Sequence, residues 1–139
     1  MPTPMNGQVQ HINPNNLSKN PAFTQVVTVT GPAKTIYIGG QDAVDASGAI
    51  VGKGDIQQQA EQVLNNLQTA LKASGAALEH IIKWNVYIVQ WQPLLPAFEV
   101  FQRTWGRQPN PPALTVMFVA GLARPDFLVE MDAIAVIPQ

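Results

Sequence analysis

The clearest periodic signal in the chain runs from Ile56 to Leu71. Ile56, Ala60, Val63, Leu64, Leu67 and Leu71 recur at helical spacing, and Gln57, Glu61, Gln62, Asn65 and Gln68 fill much of the remainder. Asp55 is placed to cap this helix, with Gln58 as its reciprocal partner, and Gly75 to end it in a left-handed turn. A second helix starts near Pro93, which suits a first helical turn, and Pro96 must still lie within that turn. Leu94, Phe98, Phe101 and Trp105 recur along one side of it, and Gly106 closes it. The β-rich runs are Gln8–Ile12, Val26–Thr30, Thr35–Ile38, Ile81–Val89, Ala113–Val119 and Phe127–Ile137. Val26–Thr30 and Thr35–Ile38, broken by Gly31-Pro32, read as a hairpin. Strict alternation in Ile81–Val89 predicts Ile82, Trp84, Val86 and Ile88 on one face, with Ile81, Lys83, Asn85 and Tyr87 on the other. Gly39-Gly40 suggests a close backbone approach or an unusual φ.

Strands and helices are mixed along one chain, which predicts an α+β domain spanning residues 1–139, with 1–7 a loose tail. The two helices are expected on one sheet face. The opposite face then needs cover, and its apolar side chains are expected to be buried by neighbouring subunits. Charged residues make up only 12% of the chain, against about 25% in an average domain, which also favours self-association. Net charge is −1, so no basic field recruits nucleic acid. Cysteine is absent, which excludes disulfides, thiolate metal sites and a cysteine nucleophile. His11 and His80 have no ligand partner nearby in sequence and read as surface or structural residues, so no metal is expected. No apolar run approaches the ~20 residues of a membrane span and no secretory signal is present, so the expectation is a soluble, cytoplasmic protein with no membrane partner. Ser18, Ser47 and Ser74 have no adjacent base, and Gly48–Gly54 lacks the Lys-Ser/Thr ending of a phosphate loop and reads as a turn.

Several segments carry a family resemblance through their order and spacing. They are Ile36-Tyr37-Ile38-Gly39-Gly40-Gln41, the helix Gln59–Leu67, the strand Ile81–Ile88, Pro112-Ala113, and Glu130-Met131-Asp132-Ala133-Ile134-Ala135. From about Phe23 to Val136 the chain resembles the Rid family, the YjgF-type reactive-intermediate deaminases. The resemblance implies a chorismate-mutase-like (bacillary type) mixed sheet with two helices on one face. It also implies a homotrimer with a small-molecule cleft between subunits, and no cofactor. In deaminating members an arginine after the Pro-Ala pairs with the carboxylate of a 2-imino acid. A backbone carbonyl and a glutamate-held water complete a hydrolysis that releases ammonia.

The carry-over to this chain is mixed. Glu130 matches the water-positioning glutamate and is the catalytic candidate; its other reading is an acid pairing at a subunit interface. Asp132 shares its strand face and reads as structural. Gly40 matches the glycine that lines the ligand site, while Gly39 stands where many relatives carry serine. Phe23 replaces a tyrosine, Phe98 an asparagine, Val116 a cysteine or small residue, and Leu114 the arginine itself. Phe23, Gly40, Phe98, Leu114 and Val116 are the substrate-binding candidates, with Trp91 and Met117 as further apolar lining. Arg124, Arg107 and Arg103 are the available substitutes for the missing cation, Arg124 foremost. Each departure runs from polar to apolar, so a charged imino acid should bind poorly. The expected activity is hydrolysis of a neutral or apolar imine or enamine. The alternative is a non-catalytic trimeric module that binds a ligand or a protein. A ribonuclease reading is disfavoured by charge and by the isolated histidines.

Overall fold

The last strand in sequence lies in the middle of the sheet. The computed structural model describes residues 6–139, and its elements are β1 (Gln8–Ile12), β2 (Val26–Thr30), β3 (Ala33–Gln41), α1 (Ile56–Ala73), β4 (Ile81–Val89), α2 (Leu94–Trp105), β5 (Ala113–Val119) and β6 (Val129–Pro138). The main sheet has the order β3-β6-β4-β5. Strand β6 is antiparallel to both neighbours, and β4 and β5 are parallel, joined across α2. The expected hairpin is corrected here: β2 pairs with β1 in a separate two-stranded ribbon, and β3 pairs with β6. Gly31-Pro32 does break the run as expected, but Pro32 turns the chain toward the C-terminus, where its carbonyl accepts from Gln139 N at 3.0 Å. Of the tail expected over residues 1–7, residues 1–5 lie outside the described residues. Gly7 donates to the Gln139 carbonyl at 2.7 Å.

Both helices cover one face of the sheet. Val129, Met131, Ala133 and Ala135 of β6, Trp84, Val86 and Ile88 of β4, and Ile36 and Ile38 of β3 are buried there. They meet Val63, Leu64, Leu67 and Leu71 of α1, and Ala97, Val100, Phe101 and Trp105 of α2. Trp84 and Phe101 meet edge to face at 4.8 Å. On α2 the buried stripe therefore differs from the expected one: Leu94 and Phe98 sit at its rim. Strand β4 also departs from strict alternation. Its register against β6 shifts between Ile81 and Lys83, so Ile81 turns inward with Trp84 and Ile82 is left half-buried.

The ends of α1 follow local chemistry. The Asp55 carboxylate accepts from the backbone N–H of Gln57 and Gln58. The reciprocal bond expected from Gln58 does not form, because Asp55 N already donates to Gly52 O. At the other end, Gly75 takes φ +80°, with Gly75 N on Lys72 O and Ala76 N on Leu71 O. This double closure needs the left-handed conformation that glycine adopts without strain.

Gln59 ties α1 to β6. Its side chain is fully buried, donates to the Gly52 and Asp126 carbonyls, and accepts from Leu128 N at 2.8 Å. These three bonds fix where the chain enters β6. Gln59→Leu leaves the Leu128 N–H buried without a partner, at a cost of about 2–4 kcal/mol. Urea unfolding at matched protein concentration should show an unfolding free energy lower by that amount, and so a lower midpoint. An unchanged midpoint would mean that Gln59 does not anchor the strand.

Candidate active site

The sheet face opposite the helices is polar in its centre. Lys83, Asn85 and Tyr87 of β4 project there beside Glu130 and Asp132 of β6. Asn85 Nδ2 donates to Asp132 Oδ1 at 2.7 Å, and the Tyr87 hydroxyl donates to Asp132 Oδ2 at 2.9 Å. Asp132 thus has two donors, and the bond it accepts pushes the Tyr87 phenol above its ordinary pKa. Lys83 Nζ donates to Thr115 Oγ1 at 2.6 Å, across the parallel pair. The sequence led us to expect apolar side chains on this face. Of the exposed apolar groups, Met117 of edge strand β5 and Tyr37 of edge strand β3 lie on this face, whereas Val116 and Phe118, opposite Val86 and Ile88, lie on the helix-covered side, Leu95 belongs to α2 and Trp91 to the β4–α2 turn.

Glu130 sits over Gly40. A Cβ on Gly40 would come within 2.7 Å of Glu130 Oε2, so the carboxylate keeps this place only while residue 40 has no side chain. Gly39 has open space on its side. The two glycines occupy a bulge, since β3 pairs Ile38 with Ala133 but Gln41 with Met131. The bulge carries the chain to Asp42, whose carboxyl lies against that of Glu130. The Asp42 pKa is pushed up to about 7, first by burial, then by the bond and the charge of Glu130. Sequence reasoning missed Asp42, Asn85 and Tyr87. The available signal was an acid two residues past the strand-end glycines Gly39-Gly40, facing a strand that itself carries Glu130 and Asp132.

Phe98, Leu114 and Val116 come together elsewhere. Leu114 is opposite Trp84 and Val116 opposite Val86, which places both on the helix-covered face, whereas Glu130 is opposite Tyr87 on the reverse face. Leu114 and Val116 form one wall of an apolar notch at the β5 edge. Leu94, Ala97, Phe98 and Phe101 of α2 form the other wall, over Val86, Ile88 and Met131. The cavity is about 30 Å³, room for little beyond a water molecule and far below the few hundred Å³ of a ligand pocket. Phe23 is half-buried, and its neighbour Thr24 donates to the carbonyls of Pro111 and Pro112 at the start of β5.

The other expected lining residues scatter. Met117 is opposite Tyr87 on the open face, and Trp91 is 95% exposed with φ +75°. Arg103 pairs with Glu61 at 3.2 Å, and Arg124 lies exposed over the Phe127 ring, 5.5 Å from its centroid. Neither of these arginines forms an ion pair with Glu130 among the described residues. His80 Nδ1 accepts from Ala77 N at 2.9 Å, a structural use. Among the described residues no group of three or more His, Asp or Glu is arranged to hold a metal ion, and no helix is long and apolar enough to cross a membrane.

The architecture is that of a chorismate-mutase-like α+β protein, two helices on a mixed sheet. The family described as Endoribonuclease L-PSP matches residues 15–137, and the chain belongs to this family, the Rid or YjgF group. The structure of a conserved Rid-family protein of unknown function from Yersinia pestis superposes with a TM-score of 0.81 at 29% identity, covering 93% of this chain and 98% of that one. A RutC family protein of Pyrococcus horikoshii is 34% identical over 100 residues, 72% of this chain and 77% of the relative. The 2-iminobutanoate/2-iminopropanoate deaminase of Rattus norvegicus is 31% identical over 115 residues, 83% of this chain and 80% of the relative.

Gly39 and Gly40 offer a direct check on the geometry. Gly40→Ala should cost about 1–3 kcal/mol by overpacking, because the Glu130 carboxylate must move. Gly39→Ala should change stability by less than about 0.5 kcal/mol. Thermal unfolding of the two variants measures the contrast, and equal effects would mean that Glu130 is not seated on Gly40.

Proposed function

We propose that this protein hydrolyses a small imine or enamine that is uncharged and apolar, releasing ammonia, in clefts between the subunits of a homotrimer. One juxtaposition carries the reading. A carboxylate suited to handling water stands on one face of the sheet, and Leu114, which by resemblance matches the arginine position of deaminating members, lies in an apolar notch on the other. Within one chain the sheet separates Glu130 and Gly40 from Phe98, Leu114 and Val116, and the notch alone is too small for a substrate. A second copy packed on the apolar margin of β5 would supply the opposite wall and bring the two groups into one cleft.

The charge preference follows from desolvation. A carboxylate facing Leu114, Phe98 and Val116 loses its water and gains no donor, at a cost of several kcal/mol. A neutral substituent gains from the same wall. Relatives named as 2-iminobutanoate/2-iminopropanoate deaminases are named for charged substrates; by the family resemblance this chain has the glutamate at Glu130 and a leucine, Leu114, at the arginine position. The −1 net charge and an open face that carries two acids disfavour RNA as substrate.

The test is to generate 2-iminopropanoate and an uncharged imine separately and follow the loss of each with and without the protein. Faster loss of the uncharged imine is expected. Glu130→Gln should lower that rate about 100-fold or more while leaving KM little changed. If neither imine is consumed faster than in buffer, the hydrolase reading fails, and a trimeric binding module takes its place.

A further inference from the structure

Asp42 is pinned by its backbone and unsatisfied at its side chain. Its carbonyl accepts from Val44 N at 2.8 Å and from Asn66 Nδ2 at 3.0 Å, which holds the bulge exit against α1. Its Oδ1 is buried and has no hydrogen-bond donor among the described residues. The groups around it are accounted for. On β6, Asp132 is engaged by Asn85 and Tyr87, so the Tyr87 hydroxyl of β4 is already committed. On α1, the Asn66 and Gln62 amides serve the backbone carbonyls of Asp42 and Val44, and on β3 the Gln41 amide turns back to the Gly39 carbonyl. The ion pairs among the described residues, Lys53–Asp126 and Arg103–Glu61, lie elsewhere. Among the described residues no cation pairs with either of the two adjoining carboxyl groups, and no amide or hydroxyl donates to Oδ1. A single proton between Asp42 and Glu130 meets both needs at once.

We propose that Asp42 is the positioning residue of the site: its carboxyl group keeps a proton, donates it as a hydrogen bond to Glu130, and so aims the Glu130 carboxylate at the attacking water. The chemistry rests on the imine-hydrolase reading; the shared proton does not. Glu130 takes one proton from water as the water oxygen bonds to the imine carbon, and it passes that proton to the nitrogen. The resulting carbinolamine collapses when its hydroxyl proton follows the same route, the C–N bond breaks and C=O forms. Both protons of the water reach nitrogen, ammonia leaves, and the proton held by Asp42 stays in place. When Asp42 ionises, two anions face each other, and the carboxylate loses its aim.

Two variants and two readouts test this. Asp42→Asn keeps a donor toward Glu130 and removes the titration; Asp42→Ala removes both. The rate of the wild-type protein on the uncharged imine should fall as pH rises through about 7, where Asp42 loses its proton. Asp42→Asn should lack that fall, and Asp42→Ala should lose roughly tenfold to a hundredfold against the wild type below about pH 7, where the wild type holds the proton, with the gap narrowing above it. Identical pH profiles for wild type and Asp42→Asn overturn the proposal. Carbon-13 NMR of the aspartate carboxyls, with no substrate present, separates the two ideas. An Asp42 signal that titrates near neutrality, together with no imine turnover, keeps the shared proton and removes the hydrolase. An Asp42 signal that titrates in the ordinary aspartate range removes the shared proton even where turnover is found. Stability gives a second check independent of activity. The folded state binds the Asp42 proton more tightly than the unfolded chain, so stability falls as pH rises from the ordinary aspartate range to about 7. Asp42→Asn should flatten that part of the curve, and a curve of unchanged slope counts against the proposal.

Discussion

The placement of β6 between β3 and β4 is the constraint on which the rest depends. Because side chains alternate along a strand, one choice of register sends Val129, Met131, Ala133 and Ala135 into the helices and Glu130 and Asp132 to the opposite face. A slip by one residue would bury two carboxylates under α1 and α2. The register is held on both sides by backbone pairing and at its start by Gln59, whose amide bonds Leu128 N and the Asp126 carbonyl. Core packing and the position of the candidate catalytic acid are therefore one decision. A substitution that loosens the start of β6 should affect stability and site together.

The open face is organised by the shortage of cations. With only eight Lys and Arg in the chain, the acids on this face are satisfied by neutral donors or by each other. Asp132 takes the first course, through Asn85 and Tyr87. For Asp42, whose Oδ1 has no donor among the described residues, the proposed shared proton with Glu130 is the second. Their contact is unfavourable when both are ionised, and the bulge at Gly39-Gly40 holds them there all the same. Conflicting local chemistry of this kind tends to gather where a protein does something other than fold.

Much of the architecture was legible in the residues. The helical stripe of α1, its Asp55 cap and its Gly75 terminus follow from spacing and local backbone chemistry, and four strands end where the pattern ends. What failed depended on long-range pairing. The Val26–Thr30 and Thr35–Ile38 runs look like a hairpin because they are adjacent, yet β6, nearly a hundred residues away, outcompetes β2 for β3. Strict alternation misplaced Ile81 and Ile82 because a bulge is invisible without the partner strand. The site was legible only in part. Glu130 and Gly40 carry recognisable neighbours in sequence, and the structure places one upon the other. Asp42 escaped because nothing local distinguishes it from a turn aspartate; its meaning comes from the strand it faces.

Leu114 gives the proposed function its chemical direction, because it sets an apolar wall where the family resemblance leads one to expect a fixed cation. The decisive measurement is the ratio of kcat/KM for an uncharged imine to that for 2-iminopropanoate, in the wild-type protein and in Leu114→Arg. The account predicts a ratio well above one in the wild type, and a fall of roughly tenfold to a hundredfold when arginine supplies a bidentate partner for the carboxylate. A wild-type protein that prefers the charged imino acid, or a ratio that arginine leaves unchanged, would contradict it.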